Sequence, residues 1–247
     1  MLGRTHMMIG ALGAAIAVPI WLHDPNAHAM LLHTGRNTLT SVKSIAAGIV
    51  AGALGGILPD LDQKDALMSR RVERIGQLMT LLAIVGLLVA LHLWMSPVAL
   101  IIALVALLAV VGHTEWMRKA SLIFLAVGAL GWGTTHQSWL EISLIITIWL
   151  VVTTFSSHRT FTHSLVGTAI AGIAMIQLGS HLHLPWLADT ALLGYVLHLV
   201  ADAIAGGIPI LWPYKKRQGI HLVRTGGILD RFLGGLCTLA ILAVLLV

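Results

Sequence analysis

Charge is what this chain lacks most. Only 10% of its 247 residues are charged, against roughly 25% in average chains, which excludes an ordinary soluble domain. Cysteine is nearly absent as well. The single thiol, Cys237, lies in the last apolar segment, so no intrachain disulfide forms and the redox compartment stays open. No Gly-x-Ser-x-Gly elbow and no P-loop occurs, which removes the usual signatures of a serine nucleophile and of a nucleotide phosphate cradle. Low-complexity tracts are missing too, and nothing in the composition points to a nucleic-acid partner.

What the chain has instead is hydrocarbon. Hydrophobic residues make up 57% of it, and the mean hydropathy is +0.92. This composition predicts an all-α, polytopic membrane protein forming a single integral membrane domain over residues 1–247. Nine apolar segments stand out, at residues 7–22, 42–58, 75–94, 98–112, 120–134, 140–155, 165–178, 190–211 and 228–247. A span needs about 17–25 residues, so the fourth to seventh segments are short for one.

The basic residues set the orientation. With the N-terminus in the cytoplasm and nine crossings, all of the 15 Lys and Arg except Arg36 and Lys43 fall inside. The C-terminus is then expected outside. Arg4, the apolar run from Met7 and Ala27-His28-Ala29 also resemble a secretory signal with its cleavage site, and cleavage there would remove His6. The polar residues from His23 to Asn26 place that site far from the apolar run, so the segment is read as retained.

Against this oily background the polar residues stand out, because ionisable side chains inside a membrane are costly. Asp60 and Asp62 flank a leucine just after Pro59. In an extended stretch alternate residues point the same way, so both carboxylates can face one ion; solvated acids at a helix end are the plainer alternative. His158 and His163 bracket a block that also holds Arg159, whose fork geometry suits a phosphate oxygen. His158 is expected in a turn and His163 in the first turn of the next helix, capped by Thr162 or the turn before it. Interfacial histidines and a snorkelling arginine would explain the same block. His198 and Asp202 lie four residues apart, hence on one helix face, either as metal ligands or as a polar pair between helices. His6 opens the first segment.

The predicted topology brings these residues to one face of the bilayer. Four histidines (His6, His158, His163, His198) and three aspartates (Asp60, Asp62, Asp202) suffice for one or two divalent ions, and the mixture of imidazole and carboxylate favours Zn, Mn or Fe. Two such ions would activate water as the nucleophile and clamp a phosphoryl group in transit. A second, looser set of histidines (His23, His28, His33, His136, His181 and His183) falls on the outer side with few acidic partners. His92, His113 and His221 read as interfacial or loop residues.

Taken together, His6, Leu58-Pro59-Asp60-Leu61-Asp62, the block from His158 to Ser164, Gly194-Tyr195 through His198 to Asp202, the stretch from Gly207 to Pro213, and Asp230-Arg231-Phe232 resemble the YdjM family of membrane-bound, metal-dependent hydrolases. The resemblance covers roughly residues 1–75 and 156–235, with inserted hydrophobic hairpins at 76–155. It implies a metal site at the cytoplasmic face of a bacterial-type inner membrane. The family is distantly similar to zinc-dependent phospholipases C, a fold-level analogy.

The expected function is therefore metal-dependent hydrolysis of a phosphate ester or phosphodiester, carried by a membrane lipid or a lipid-linked phosphate. Asp62, His163 and Arg159 are the expected catalytic residues, and Lys215, Lys216 and Arg217 are placed to hold anionic head groups. The alternative is a divalent-metal transporter or a non-catalytic scaffold with a structural metal. Clustering of the polar residues at one face, and the lack of inverted-repeat symmetry, argue against transport.

Overall fold

The computed structural model of the protein describes residues 1–21, 36–63, 82, 114–157, 159–214 and 216–246. Among these residues the chain is helical throughout, with one isolated antiparallel bridge between Ile208 and Gln218 and no named strand. Seven α-helices are described: α1 (Gly3–Trp21), α2 (Arg36–Gly55), α3 (Thr114–Thr135), α4 (Leu140–Phe155), α5 (Leu165–His181), α6 (Pro185–Ala205) and α7 (Ile228–Leu246). They correspond to seven of the nine apolar segments; those at 75–94, apart from Leu82, and at 98–112 lie outside the described residues. Among the described residues, four helical stretches are long and apolar enough to cross a membrane: Lys43–Asp62, Gln137–Phe155, Pro185–Ala205 and Ile228–Leu245.

The chain divides into two compact units. One joins Met1–Asp62 to Ser156–Val247, and the other is Gln63–Phe155. Within the second unit, α3 and α4 pack as a hairpin around a short 3₁₀ turn, Gln137–Trp139. The Thr147 hydroxyl lies 3.1 Å from the Ala126 carbonyl across the hairpin and 2.7 Å from the Ser143 carbonyl in its own helix.

In the first unit α6 is the central helix, packed against α1, α2 and α5, while α1 also packs on α2 and α7. Lipid tails are as apolar as leucine, so helices in a membrane associate through close packing of small residues rather than through hydrophobic burial. That is what the contact of α2 with α6 displays. A Cβ at Gly194 would sit 2.1 Å from the Gly52 carbonyl oxygen, and one at Gly55 would sit 1.9 Å from that of Ala191. The large apolar side chains point outward instead. Phe232, Leu236, Leu239 and Leu242 recur along α7 at helical spacing and are all exposed, as a lipid-facing stripe requires.

Helix α2 begins at Arg36 and α3 at Thr114, each six residues before the apolar segment, and two further departures have a local reason. The segment expected at 190–211 runs instead from Pro185 to Ala205. Proline opens it because the first helical turn has no use for an N–H. It closes where the amides of Gly206 and Gly207 both bond the Asp202 carbonyl at 2.9 Å, and Gly207 takes a left-handed φ of 76° that glycine adopts without strain. The chain then runs back as a strap. Ile220 and Leu222 donate their amides to the carbonyls of Ala203 and Ile204, satisfying the last turn of α6, and Ile210 accepts from the Leu165 amide at the start of α5.

The second difference concerns α5. Its N-cap is Ser164, whose hydroxyl accepts from the Gly167 amide at 3.1 Å and donates to the Phe161 carbonyl. His163 therefore lies ahead of the helix, in a turn, rather than in its first helical turn.

The Gly52–Gly194 contact makes a test of the packing. Gly194→Val is expected to destabilise the protein by about 1–3 kcal/mol or more, since backbone rather than a flexible side chain blocks the new atoms. Gly128→Ala, whose Cβ meets nothing within 4 Å, is expected to leave stability unchanged or slightly raised. Thermal unfolding in detergent measures both.

Candidate metal centre

At the end of α2 the chain turns at Gly56 and enters a short 3₁₀ helix, Pro59–Asp62, whose four residues are all buried. This turn delivers Asp60 to the centre of the first unit. The turn before α5 delivers His163, α6 delivers His198 and Asp202, and the first turns of α1 deliver His6. The side chains of His6, His163, His198 and Asp202 are fully buried, and Asp60 is nearly so. Five residues expected at a metal site from the sequence thus come together.

Their hydrogen bonds fix which nitrogen of each imidazole faces inward. Nδ1 of His198 lies 2.7 Å from the Gly56 carbonyl oxygen. A carbonyl can only accept, so Nδ1 carries the proton and Nε2 is left with a bare lone pair. For His163 the argument runs through Thr162. The Thr162 hydroxyl donates to Asp62 Oδ2 at 2.9 Å, and having one proton it must accept from His163 Nδ1, 3.0 Å away. Nε2 of His163 is then also bare. The two Nε2 atoms face each other at 3.1 Å.

Carboxylate oxygens surround this pair. Asp60 Oδ1 lies 3.7 Å from each Nε2, and Asp202 Oδ2 lies 3.5 Å from that of His163 and 3.8 Å from that of His198. Four atoms with outward lone pairs therefore converge away from water, an arrangement that repels itself unless a cation or a shared proton sits among them. His6 adds to the imbalance. Its ring stacks on His198 with centroids 3.7 Å apart, and neither of its ring nitrogens has a hydrogen bond of good geometry, although Nε2 is 3.1 Å from Asp202 Oδ1. Both triads, His6–Asp60–His198 and His163–His198–Asp202, could hold a metal ion. Nitrogen and oxygen donors in this mixture fit a divalent ion such as Zn, Mn or Fe.

Asp202 is the most heavily engaged of the acids. Besides the histidines, its Oδ1 lies 2.8 Å from the Met1 amine and its Oδ2 lies 3.1 Å from Arg159 Nη2. Arg159 itself is held in the left-handed region, at φ 57°, a conformation that costs a non-glycine residue about 1–3 kcal/mol. Two carboxylates keep it there, Asp202 on the guanidinium and Asp62 on the backbone N–H at 3.0 Å.

Asp62 thus stands one step behind the converging atoms, with Oδ2 engaged by Thr162 and by the Arg159 amide. His158 and Lys215 lie outside the described residues. So do His23, His28 and His33 of the looser histidine set; of its remaining members, His136 is described stacked on Trp132.

Sequence reasoning assigned no role in the centre to four groups that shape it, two of which, Tyr195 and Asp230, it named only as part of the family pattern. Thr162 had been considered only as a cap, yet it carries the link from Asp62 to His163. Tyr195, fully buried one turn before His198, donates its hydroxyl to the Thr162 carbonyl and pins the turn to α6. The Gly56 carbonyl sets the His198 tautomer, a backbone role with no side-chain signature. Asp230 accepts from the Leu2 and Gly226 amides at 2.9 and 2.7 Å, fastening the start of α1 to α7. A buried acid just inside an apolar helix was the available signal for it.

The Thr162 link can be tested directly. Thr162→Val keeps the shape but leaves His163 Nδ1 without its acceptor, and such outer-shell losses typically weaken metal binding about 10–100-fold. Thr162→Ser, which keeps the hydroxyl, is expected to bind within a few-fold of wild type. Competition titration with a chelating zinc dye reads the difference.

A family model described as YdjM inner membrane protein matches residues 1–247, and so extends through the hydrophobic region between the motif blocks as well as over the blocks themselves. No curated protein and no solved structure matches the chain. The whole-length match, together with the buried His/Asp centre and the apolar helices around it, places the chain in the YdjM inner membrane protein family.

Proposed function

We propose that this protein is a metal-dependent hydrolase of a phosphate ester or phosphodiester borne by a membrane lipid, acting at the cytoplasmic leaflet of the inner membrane. The supporting observation is the convergence of His163 Nε2, His198 Nε2, Asp60 Oδ1 and Asp202 Oδ2 beside an arginine. In this reading Asp60, His163, His198 and Asp202 hold the ion, His6 stands against His198 and Asp202, and Asp62 positions His163 through Thr162. A bound divalent ion supplies Lewis-acid polarisation and lowers the pKa of water. Arg159 supplies the phosphate contact: Nη2 is engaged by Asp202, while Nε is buried without a hydrogen-bond partner, and a planar guanidinium suits phosphoryl oxygens.

The membrane arrangement belongs to the same proposal. Nine crossings, with the N-terminus in the cytoplasm and the C-terminus outside, follow from the distribution of Lys and Arg. Lys216 and Arg217, both exposed, lie in the strap after α6 and are suited to anionic head groups. Reporter fusions at each terminus test the orientation: a cytoplasm-active reporter is expected to work at the N-terminus and a periplasm-active one at the C-terminus.

One observation favours a second reading. Full burial of three of the four donor residues is more typical of a closed, structural metal site than of one that keeps a position open for substrate. The protein would then be a scaffold whose ion fastens α6 to the turns that follow α2 and precede α5.

Turnover separates the two readings. Purified protein in lipid nanodiscs, supplied with Zn or Mn, is to be assayed on a panel of phosphomonoesters, phosphodiesters and phospholipids. Asp60→Ala and His163→Ala are expected to abolish hydrolysis, and Arg159→Ala to lower kcat by about 10²–10³, as loss of a charge-stabilising contact does. Undiminished turnover in Asp60→Ala would sink the hydrolase proposal. An inert wild type whose melting temperature falls on chelation would establish the scaffold.

A further inference from the structure

We propose that the strap between α6 and α7, residues 206–227, is an interfacial anchor that binds anionic lipid head groups, with its exposed apolar side chains in the head-group layer. The proposal takes from the reading above only that the strap meets the membrane. It holds whether or not the centre turns over substrate.

The two ends of the strap fix its level. It leaves Pro185–Ala205 and enters Ile228–Leu246, and both helices are long and apolar enough to cross a membrane. The strap also stays close to the first of them. The Ile220 and Leu222 amides bond the Ala203 and Ile204 carbonyls at 3.0 and 2.9 Å, and Ile208 and Gln218 form an antiparallel bridge. It is thus pinned at the end of α6 rather than reaching away into water.

Its side chains do not suit a loop in water. Leu211, Tyr214, Ile220 and Leu222 are 60–72% exposed, as much as the lipid-facing Phe232 and Leu239 of α7. Large apolar side chains left open together on one surface call for a cover.

Charge identifies that cover. Between Asp202 and Asp230 the chain holds Lys215, Lys216, Arg217 and Arg224 and no acidic residue. Lys216, Arg217 and Arg224 are exposed. Basic, aromatic and aliphatic side chains on one strap match the boundary of an anionic bilayer. There the rings and aliphatic groups enter the head-group layer while the cations meet acidic head groups. An acidic protein is the other class of partner for such a surface, and the level of the strap favours lipid.

The anchor touches the turn that carries part of the centre. The Leu165 amide bonds the Ile210 carbonyl at 3.0 Å, and the Trp212 ring meets Phe161 edge-on with centroids 5.4 Å apart. Phe161 is buried, midway in sequence between Arg159 and His163. A Cβ at Gly206 would stand 3.4 Å from Arg159 Nη1, so the strap begins beside that guanidinium. Anchoring the strap therefore holds the Arg159 turn at head-group level.

The test places a fluorophore on the strap. The Ile220→Cys variant of full-length protein, with its native thiol removed by Cys237→Ser, is labelled with an environment-sensitive dye. A Leu239→Cys variant labelled in the same way reports on the lipid-facing side of α7. Nanodiscs of phosphatidylcholine contain rising fractions of spin-labelled phosphatidylglycerol or spin-labelled phosphatidylcholine as quencher. At low salt the Ile220 site is expected to prefer phosphatidylglycerol by about fivefold or more, the contribution of one basic residue near an anionic surface. The Leu239 site is expected to show no preference. Lys216→Gln/Arg217→Gln/Arg224→Gln is expected to bring the Ile220 site toward the Leu239 value. Salt at about 1 M, where the screening length falls to about 3 Å, is expected to do the same. Equal quenching by the two lipids at the Ile220 site would overturn the proposal. So would a strap probe that neither lipid quenches, which would assign the apolar face to a protein partner. The salt dependence with native charges decides the matter even if the charge variant fails to insert.

Discussion

The centre of the first unit is organised around the burial of one carboxylate. Asp202 has no exposed side-chain surface, and an isolated carboxylate in a medium of low dielectric is so costly that it does not persist without partners. Its surroundings answer that demand from every side. Arg159 reaches it from the turn before α5, His6 from α1, and His163 from beside α5, while His198 shares its own helix. Elements far apart in sequence are thereby obliged to meet at one point. The glycine contact between α2 and α6 lets them approach closely enough to do so.

Orientation of the donors depends on a second tier of contacts. Neither inward-facing imidazole is free to choose its tautomer, because a backbone carbonyl decides for His198 and a hydroxyl–carboxylate chain decides for His163. These supports have different tolerances to change. The carbonyl of Gly56 survives many substitutions of side chains around it, whereas the Thr162 hydroxyl is a single group with few replacements. Backbone strain at Arg159 belongs to the same tier. Its backbone N–H is held by Asp62 and its guanidinium by Asp202, so two carboxylates anchor the residue at both ends.

Much of this was legible in the sequence, because ionisable residues in an apolar chain are conspicuous. Asp60, His163, His198, Asp202 and His6 each stand out as polar exceptions, and the i,i+4 spacing of His198 and Asp202 puts both on one helix face. The helical class followed from composition. What the sequence left open is whatever depends on hydrogen-bond direction. Asp62 looks equivalent to Asp60 in the Pro-Asp-Leu-Asp pattern, yet a 3₁₀ turn sends one carboxylate to the centre and the other to Thr162 and the Arg159 amide. Helix ends were misjudged where the decisive partner was distant or local chemistry competed. Hydrophobicity continues past Ala205, but the amides of Gly206 and Gly207 turn back on Asp202. Ser164 caps α5 in preference to Thr162, whose hydroxyl is already engaged.

The scattering of Asp60, His163, His198 and Asp202 along the chain has a consequence for biogenesis. Asp60 emerges from the ribosome early, His163 about a hundred residues later, and His198 and Asp202 only after most of the protein has entered the membrane. A nascent chain that stops before α6 carries His6, Asp60 and His163 but neither His198 nor Asp202. The donor set is therefore complete only once α6 stands against α2.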